Sequence, residues 1–388
     1  MTIITWKTFK YRLYPNRAQV SSLNGQLSEA CRLYNAALQE RRDAWQMCHV
    51  SLHVYDQMSQ LKSIRDAGDM GIANVTASRE VLMRVDRAFS AFFQRVKAGQ
   101  IPGFPRFKSP RRFNSYTFPV YGNGCRIRDN GRLYIQGVGE IKVKLHRPID
   151  GRIKTVTIKR EAGRWYACFS VECVSQPLPT NAKSVGIDLG LTSYAVQNDG
   201  TVHDNPRVYE QSQGKLRRAQ RKVARRKKGS NRRRKAVQLL QKTHMQVQNQ
   251  RGDFQHKLAR HLVDSYGLIC AEKLNVKGLA RGILPKQVHD AAWSSFLDKL
   301  AYKAEEAGRQ FVQVNPNGTS QCCPCGNPVP KKLGDRWHHC NKCGLSVPRD
   351  QASAMEILRL GLSLVDGTWP SGAGVSTEAV SYAEGVVT

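Results

Sequence analysis

SVGIDLGLTSYAV, residues 184–196, decides the fold. Val185-Gly186-Ile187 runs apolar into Asp188, Gly190 permits a tight turn, and a second apolar run follows. The stretch reads as strand, turn, strand, with QNDG at 197–200 as the next turn. An acid at the end of an apolar central strand is costly unless it is paired or metal-bound. Outward from it, Leu268-Ile269-Cys270-Ala271 forms another short apolar strand running into Glu272, and VPRDQASAMEILRLGL starts a helix at Asp350. Carboxylates from two strands and a helix start suit a two-metal phosphodiester cleavage centre. Two Mg²⁺ ions about 4 Å apart, or Mn²⁺ in their place, would activate water and stabilise the leaving oxygen. Each acid also has a plainer reading. Asp188 could be a turn acid, Glu272 a partner of Lys273, and Asp350 a helix N-cap. Asp150, Asp253, Asp264 and Asp298 are rival acids, in settings that look like turns or polar helix faces.

Eleven cysteines divide unevenly, with five between 322 and 343. Cys322-x2-Cys325 and Cys340-x2-Cys343, each followed by Gly, have the spacing of a structural zinc site with four thiolates. Cys323 is taken as a spectator, since Cys323-x-Cys325 is short for a chelating pair; His338 or His339 could replace Cys340. A closed four-cysteine site has no open position, so this zinc is not the catalytic metal. The other six cysteines sit in apolar surroundings as small hydrophobes, which fits cytoplasmic residence.

Upstream, TWKTFKYRLYP reads as a strand ending at Pro15, followed by helices over about 19–42, 56–66 and 77–96. GQIPGFPRFKSPRRFNSYTF is irregular, and hairpins follow at Asp129-Asn130-Gly131 and around 161–163. The first strand and these later ones are expected to form one small barrel with the helices inserted as a lobe. PLPTNAK marks a boundary, and a nearly unbroken helical segment is expected from about 210 to 266. Beyond Val365 the chain is rich in Gly, Ser, Thr and Glu and reads as a disordered tail.

Lys and Arg total 61 against 30 acids, a formal net charge of +31. Repulsion of that size is relieved by a polyanion, through phosphate contacts that release counterions. Between Gln211 and Gln241 stand 13 Lys or Arg and no acid. Arg217, Arg218, Arg221, Lys222, Arg225, Arg226, Lys227, Lys228, Arg232, Arg233 and Arg234 are therefore candidate nucleic-acid contacts. Arg106, Lys108, Arg111 and Arg112 join them, interleaved with Phe104, Phe107, Phe113, Tyr116 and Phe118, which either stack on bases or anchor the loop. No run of 18 apolar residues and no signal peptide is apparent, so no membrane role is expected.

In order, FKYRLYPNRAQ, CRLYNAALQERR, VDRAFSAFFQRVKAGQIPGFPRFKSPRRFNSYTF, GIDLGLTSYAV, NQRGDFQHKLARHLV, AEKLNVKGL, PNGTSQCCPCG, CNKCG and RDQASAMEIL span roughly residues 7–360. This series resembles the transposon-encoded TnpB (OrfB) proteins of the IS200/IS605 group, relatives of compact type V CRISPR effectors. The resemblance implies an RNA-guided DNA endonuclease of multidomain α+β fold. A β-barrel wedge domain (1–15 and 114–180) would hold an inserted helical recognition lobe (16–113). An RNase H-like (RuvC) α/β domain (181–317 and 345–364) would follow, with an inserted zinc ribbon (318–344) and a tail (365–388). Asp188, Glu272 and Asp350 match the three RuvC acids. The implied partners are a guide RNA from the transposon end and double-stranded target DNA, read as an RNA–DNA heteroduplex beside a short motif, with one protein per RNA. Two departures stand out. Lys273 replaces the second acid of the acid-acid-Leu-Asn motif, and Pro348 and Ala352 replace the first Asp and the Asn around Asp350. The rival readings are a cleavage-deficient guided repressor and a recruited miniature CRISPR effector.

Overall fold

The structure is a computed structural model that describes residues 3–68, 71–72, 74–282, 284–332 and 334–365. The expected tail beyond 365 lies outside the described residues. The chain divides into two compact units, Met1–Ser175 with Ala219–Met245, and Gln176–Arg218 with Gln246–Thr388.

The first unit is built on an antiparallel sheet. Strand β1 (Ile3–Tyr14) leads into α1 (Arg17–Cys48), the short α2 (Val54–Ser59) and α3 (Leu61–Asp66), and α4 (Val75–Lys97). Six strands follow: β2 (Ser115–Phe118), β3 (Cys125–Ile127), β4 (Arg132–Ile135), β5 (Gly139–Lys144), β6 (Arg152–Glu161) and β7 (Arg164–Ser175). The hydrogen-bonded order is β2-β6-β7-β1-β5-β4-β3. The N-terminal strand thus sits between strands far along the chain, but the ladder leaves β2 and β3 as ends and does not close as a barrel. Burial alternates along β7, as a sheet with one covered face requires. Asn16 and Gln19 form a capping box that starts α1. Helix and sheet residues share one core, where Leu23, Leu27, Val81 and Val85 meet Tyr11, Phe118, Ile158 and Phe169. Of the interleaved aromatics, Phe113, Tyr116 and Phe118 are buried in that core, while Phe104 and Phe107 are exposed.

The second unit holds a five-stranded sheet of β8 (Ser184–Leu189), β9 (Ser193–Gln197), β10 (Val202–Asp204), β11 (Leu268–Glu272) and β12 (Gln310–Val314). Its order is β10-β9-β8-β11-β12, with β8, β11 and β12 parallel. The parallel pairs need crossovers, supplied by α5 (Val208–Ala224) and α6 (Asn231–Ser265), then by α7 (Val276–Leu279), α8 (Pro285–Ala291) and α9 (Trp293–Glu306). The expected single helical segment is broken at 225–230. Gly229 takes a positive φ of 87°, Ser230 accepts from Arg233 N, and the Arg233 guanidinium caps the end of α5 through the carbonyls of Val223 and Arg226. A two-stranded ladder of β13 (Trp337–His339) and β14 (Ser346–Pro348) precedes the last helix, α10 (Arg349–Val365).

Both faces of the sheet centre are covered, so its strands are buried almost without alternation. Side chains still alternate between faces. Val185, Ile187, Ile269 and Ala271 pack with Leu258, Leu262, Phe296 and Leu300 of α6 and α9. Leu268 and Cys270 meet Ile357 of α10 on the other face. Glycine brings α10 close: a Cβ at Gly186 would lie 2.1 Å from the Ala354 carbonyl oxygen, and one at Gly361 would lie 2.1 Å from Cys270 Sγ.

Candidate active site and cysteine cluster

Residue parity and helix docking together build the acid site. Asp188 shares the face of Gly186, and Glu272 shares that of Leu268 and Cys270, so both point to the side covered by α10. The parallel register pairs Ala271 with Ile187, which sets Glu272 beside Asp188 one step on. Asp350 lies in the first turn of α10. Burial first, and then the charges of Glu272 and Asp350, push the Asp188 carboxyl up to about 8; Arg349 and the Leu189 N–H pull it down. Burial likewise raises Glu272, opposed by a hydrogen bond from Thr319. The Thr319 hydroxyl lies 2.5 Å from Glu272 Oε1. The structure therefore places Asp188 within electrostatic reach of both Glu272 and Asp350.

The rival acids are placed elsewhere. Asp253 and Asp264 pair with Lys257 and Arg260 on the surface of α6. Asp298 lies on α9, and Asp150 in the stretch before β6. A buried acid the sequence reading passed over, Glu356, is held by Arg359 at 2.7 and 2.8 Å and so has its own counter-charge. Thr319 was also passed over; a lone hydroxyl in PNGTSQ gives no periodic or spacing signal.

The cysteines need a correction. Sulfurs of Cys323, Cys325, Cys340 and Cys343 lie within 4.8 Å of one another, and Cys322 is outside the group. The backbone decides between the adjacent cysteines. Cys322 bridges to Pro328, while Cys323 N donates to Asn327 O and Cys323 O accepts from Gly326, curling 323–326 into a knuckle. Gly326 and Gly344 close the two knuckles with φ of 81° and 75°. Sulfurs of Cys323 and Cys343 are 3.6 Å apart, and those of Cys325 and Cys340 are 3.7 Å apart. Four sulfurs about 2.3 Å from a tetrahedral zinc would be spaced about 3.8 Å, so the donor set fits that ion. N–H groups of Cys343 and Lys342 help pull the Cys340 thiol down to about 6, toward the thiolate a metal needs. His338 is buried beside the cluster and His339 lies exposed on the same strand; neither belongs to the four-sulfur group.

The basic candidates are mostly free to meet a ligand. Arg106, Lys108, Arg111 and Arg112 are exposed, as are Arg217, Arg218, Arg221, Lys222, Arg225, Arg226, Lys227, Lys228, Arg232 and Arg234. Arg233 is half-buried and committed to capping α5. No helix among the described residues is long and apolar enough to cross a membrane.

Comparison with known proteins adds three family matches: OrfB_IS605, described as "Probable transposase", over residues 159–282; the Cas12f1-like TNB domain over 293–357; and the "Helix-turn-helix domain" of the OrfB family over 1–48. A protein of Streptomyces pristinaespiralis named "Putative RNA-guided DNA endonuclease" is 29% identical over 92% of this chain and 90% of its own length. The chain is thus similar to the TnpB (OrfB) proteins of the IS605 group. An Escherichia coli protein named "Putative RNA-guided DNA endonuclease InsQ" is 27% identical, covering 92% of both chains. A solved Cas12f1–sgRNA–target DNA complex has a protein chain sharing this fold, with a TM-score of 0.59 at 14% identity over 92% of this chain and 98% of that one. Despite its description, the third family region holds one strand and one long helix here, β1 and α1.

Proposed function

We propose that this chain is an RNA-guided DNA endonuclease that cleaves target DNA at one centre formed by Asp188, Glu272 and Asp350. The observation that carries the reading is that Asp188 and Glu272 end adjacent parallel strands, with the charge of Asp350 at the start of α10 close enough to help raise Asp188. A donor set of hard oxygens with that repulsion on Asp188 fits divalent cations such as Mg²⁺ or Mn²⁺. Bound there, two such ions would supply an activated water and stabilise the leaving oxygen. The chain's own part is to hold the three acids on rigid elements and to keep Arg349 near the accumulating negative charge. The strand order of the second sheet, third-second-first-fourth-fifth, supports an RNase H-like centre. Cys323, Cys325, Cys340 and Cys343 would hold one structural zinc. The exposed cations of α5, the 225–230 turn and the 106–112 loop suit guide RNA and the RNA–DNA heteroduplex, whose sequence is read by base pairing. The names of the relatives agree.

A second reading, guided binding without cleavage, draws on Pro348 and on Ala352, which is fully buried where the family motif has Asn. One experiment separates the two. RNA is recovered with the protein expressed from its locus, and the complex is given Mg²⁺ and plasmids bearing the guide's target with randomised flanks. The nuclease reading expects linear plasmid with one enriched flanking motif, and none from Asp188→Ala, which still binds. Bound, uncut plasmid from the unaltered chain would overturn it in favour of the binder.

A further inference from the structure

We infer that Thr319 is a positioning residue that fixes Glu272 and ties its geometry to the folding of the cysteine cluster. The inference rests on the proposed role of Glu272 as a metal ligand. Thr319 is 3% exposed, and its hydroxyl has two acceptors in reach, Glu272 Oε1 at 2.5 Å and Pro316 O at 3.0 Å. A hydroxyl has one proton. An ionised carboxylate is the stronger acceptor, so the proton goes to Glu272 and one carboxylate oxygen is committed to Thr319. Glu272 then offers its other oxygen to a cation, in one orientation.

What holds Thr319 comes from the other direction. Gly318, with φ of 87°, turns the chain into it, and Gln321 N closes that turn on Gly318 O. Beyond it, Gln321 exchanges hydrogen bonds with Lys331 in both directions, and Lys331 Nζ donates to Ser320 O. Two residues later Cys323 enters the four-sulfur group. The five residues from Thr319 to Cys323 therefore carry a carboxylate contact at one end and a thiolate at the other. Side chains that orient metal ligands typically cost about 10–100-fold in metal affinity or activity when removed.

The test uses the full chain with its RNA and Mn²⁺ as probe, with free Mn²⁺ followed by electron paramagnetic resonance. Thr319→Val should weaken Mn²⁺ binding by roughly tenfold or more, Thr319→Ser should restore it, and zinc content should be the same in all three proteins. Cleavage should need correspondingly more Mn²⁺ while target binding is unchanged. Glu272→Gln is the control for the underlying site. If Glu272→Gln weakens Mn²⁺ binding and Thr319→Val does not, the positioning role is wrong. If neither does, the metal-site reading itself fails. Loss of zinc in Thr319→Val would also overturn the inference, since the hydroxyl would then be a structural part of the ribbon.

Discussion

The acid site and the cysteine cluster both crowd like charges, but they stand on different foundations. Asp188 and Glu272 end adjacent strands of a sheet buried on both faces, and α10 is seated against that sheet through Gly186 and Gly361. The four clustered cysteines stand on two knuckles 14 residues apart, next to a ladder of three residues per strand. Among the described residues, the three core clusters contain none of these cysteines. The acids are thus placed by packing that exists before any cation arrives. A zinc held by the proposed ribbon would fix its shape, because metal binding and folding are coupled in so small a unit.

The largest effect that tests this contrast is on the ribbon. Cys323→Ser should lose the single zinc, measured by elemental analysis, and with it the order of residues around 318–344, seen as faster amide exchange. Cys322→Ser should keep zinc and activity near those of the unaltered chain. The reverse pattern would restore the spacing expected from sequence and reject the knuckle seen here. Asp188→Asn should do neither, keeping zinc and fold while losing cleavage.

That pair of adjacent cysteines also marks where sequence stops being informative. Spacing identified a four-cysteine site, but both Cys322 and Cys323 precede Cys325 closely, and only the backbone path through Asn327 and Pro328 chooses. Asp188 and Glu272 were legible because each ends an apolar run and would be costly without a partner. Asp350 was legible as a helix start, although its approach to the other two depends on how closely α10 docks. Gly186 and Gly361 looked like ordinary glycines, since what they make room for lies on another element. The break between α5 and α6 had its signal in Gly229-Ser230, which was outweighed by the helical run on either side. The aromatics of 104–118 alternate with cations throughout, and nothing local separates the buried Phe113 and Phe118 from the exposed Phe107.

A smaller effect tests the acid side of the contrast. At Gly186 a methyl would meet the Ala354 carbonyl oxygen and come within 2.8 Å of both Leu358 N and Leu358 Cβ, so α10 itself must move. Gly186→Ala should cost about 1–3 kcal/mol and displace Asp350, lowering cleavage as well as thermal stability. At Gly361 a methyl would meet Cys270 Sγ, which can rotate, and Cys270 Cβ at 2.8 Å, which cannot, while alanine gains up to about 1 kcal/mol of helix propensity. Gly361→Ala should therefore cost less stability than Gly186→Ala and lower cleavage less. Equal losses in the two variants would mean that the acids do not depend on the seating of α10.

A pH dependence confined to the acids tests the same placement from another side. Asp188 titrates near 8 in the folded chain against about 3.9 for an unfolded Asp, and Glu272 is raised in the same direction. Between those values the folded state binds more protons than the unfolded one, so stability falls as pH rises through the window. The stabilising contribution is complete below about pH 4 and is lost as pH approaches 8. Without added divalent cation, the melting temperature should drop between pH 5 and 8 by a few degrees more than in Asp188→Asn, which cannot ionise there. Millimolar Mg²⁺ or Mn²⁺ should stabilise the unaltered chain increasingly over the same range, because the cation binds the ionised acids. If the two proteins instead lose stability in parallel with pH, the acids are not crowded in solution, and the placement of Asp188 against Glu272 and Asp350 is wrong.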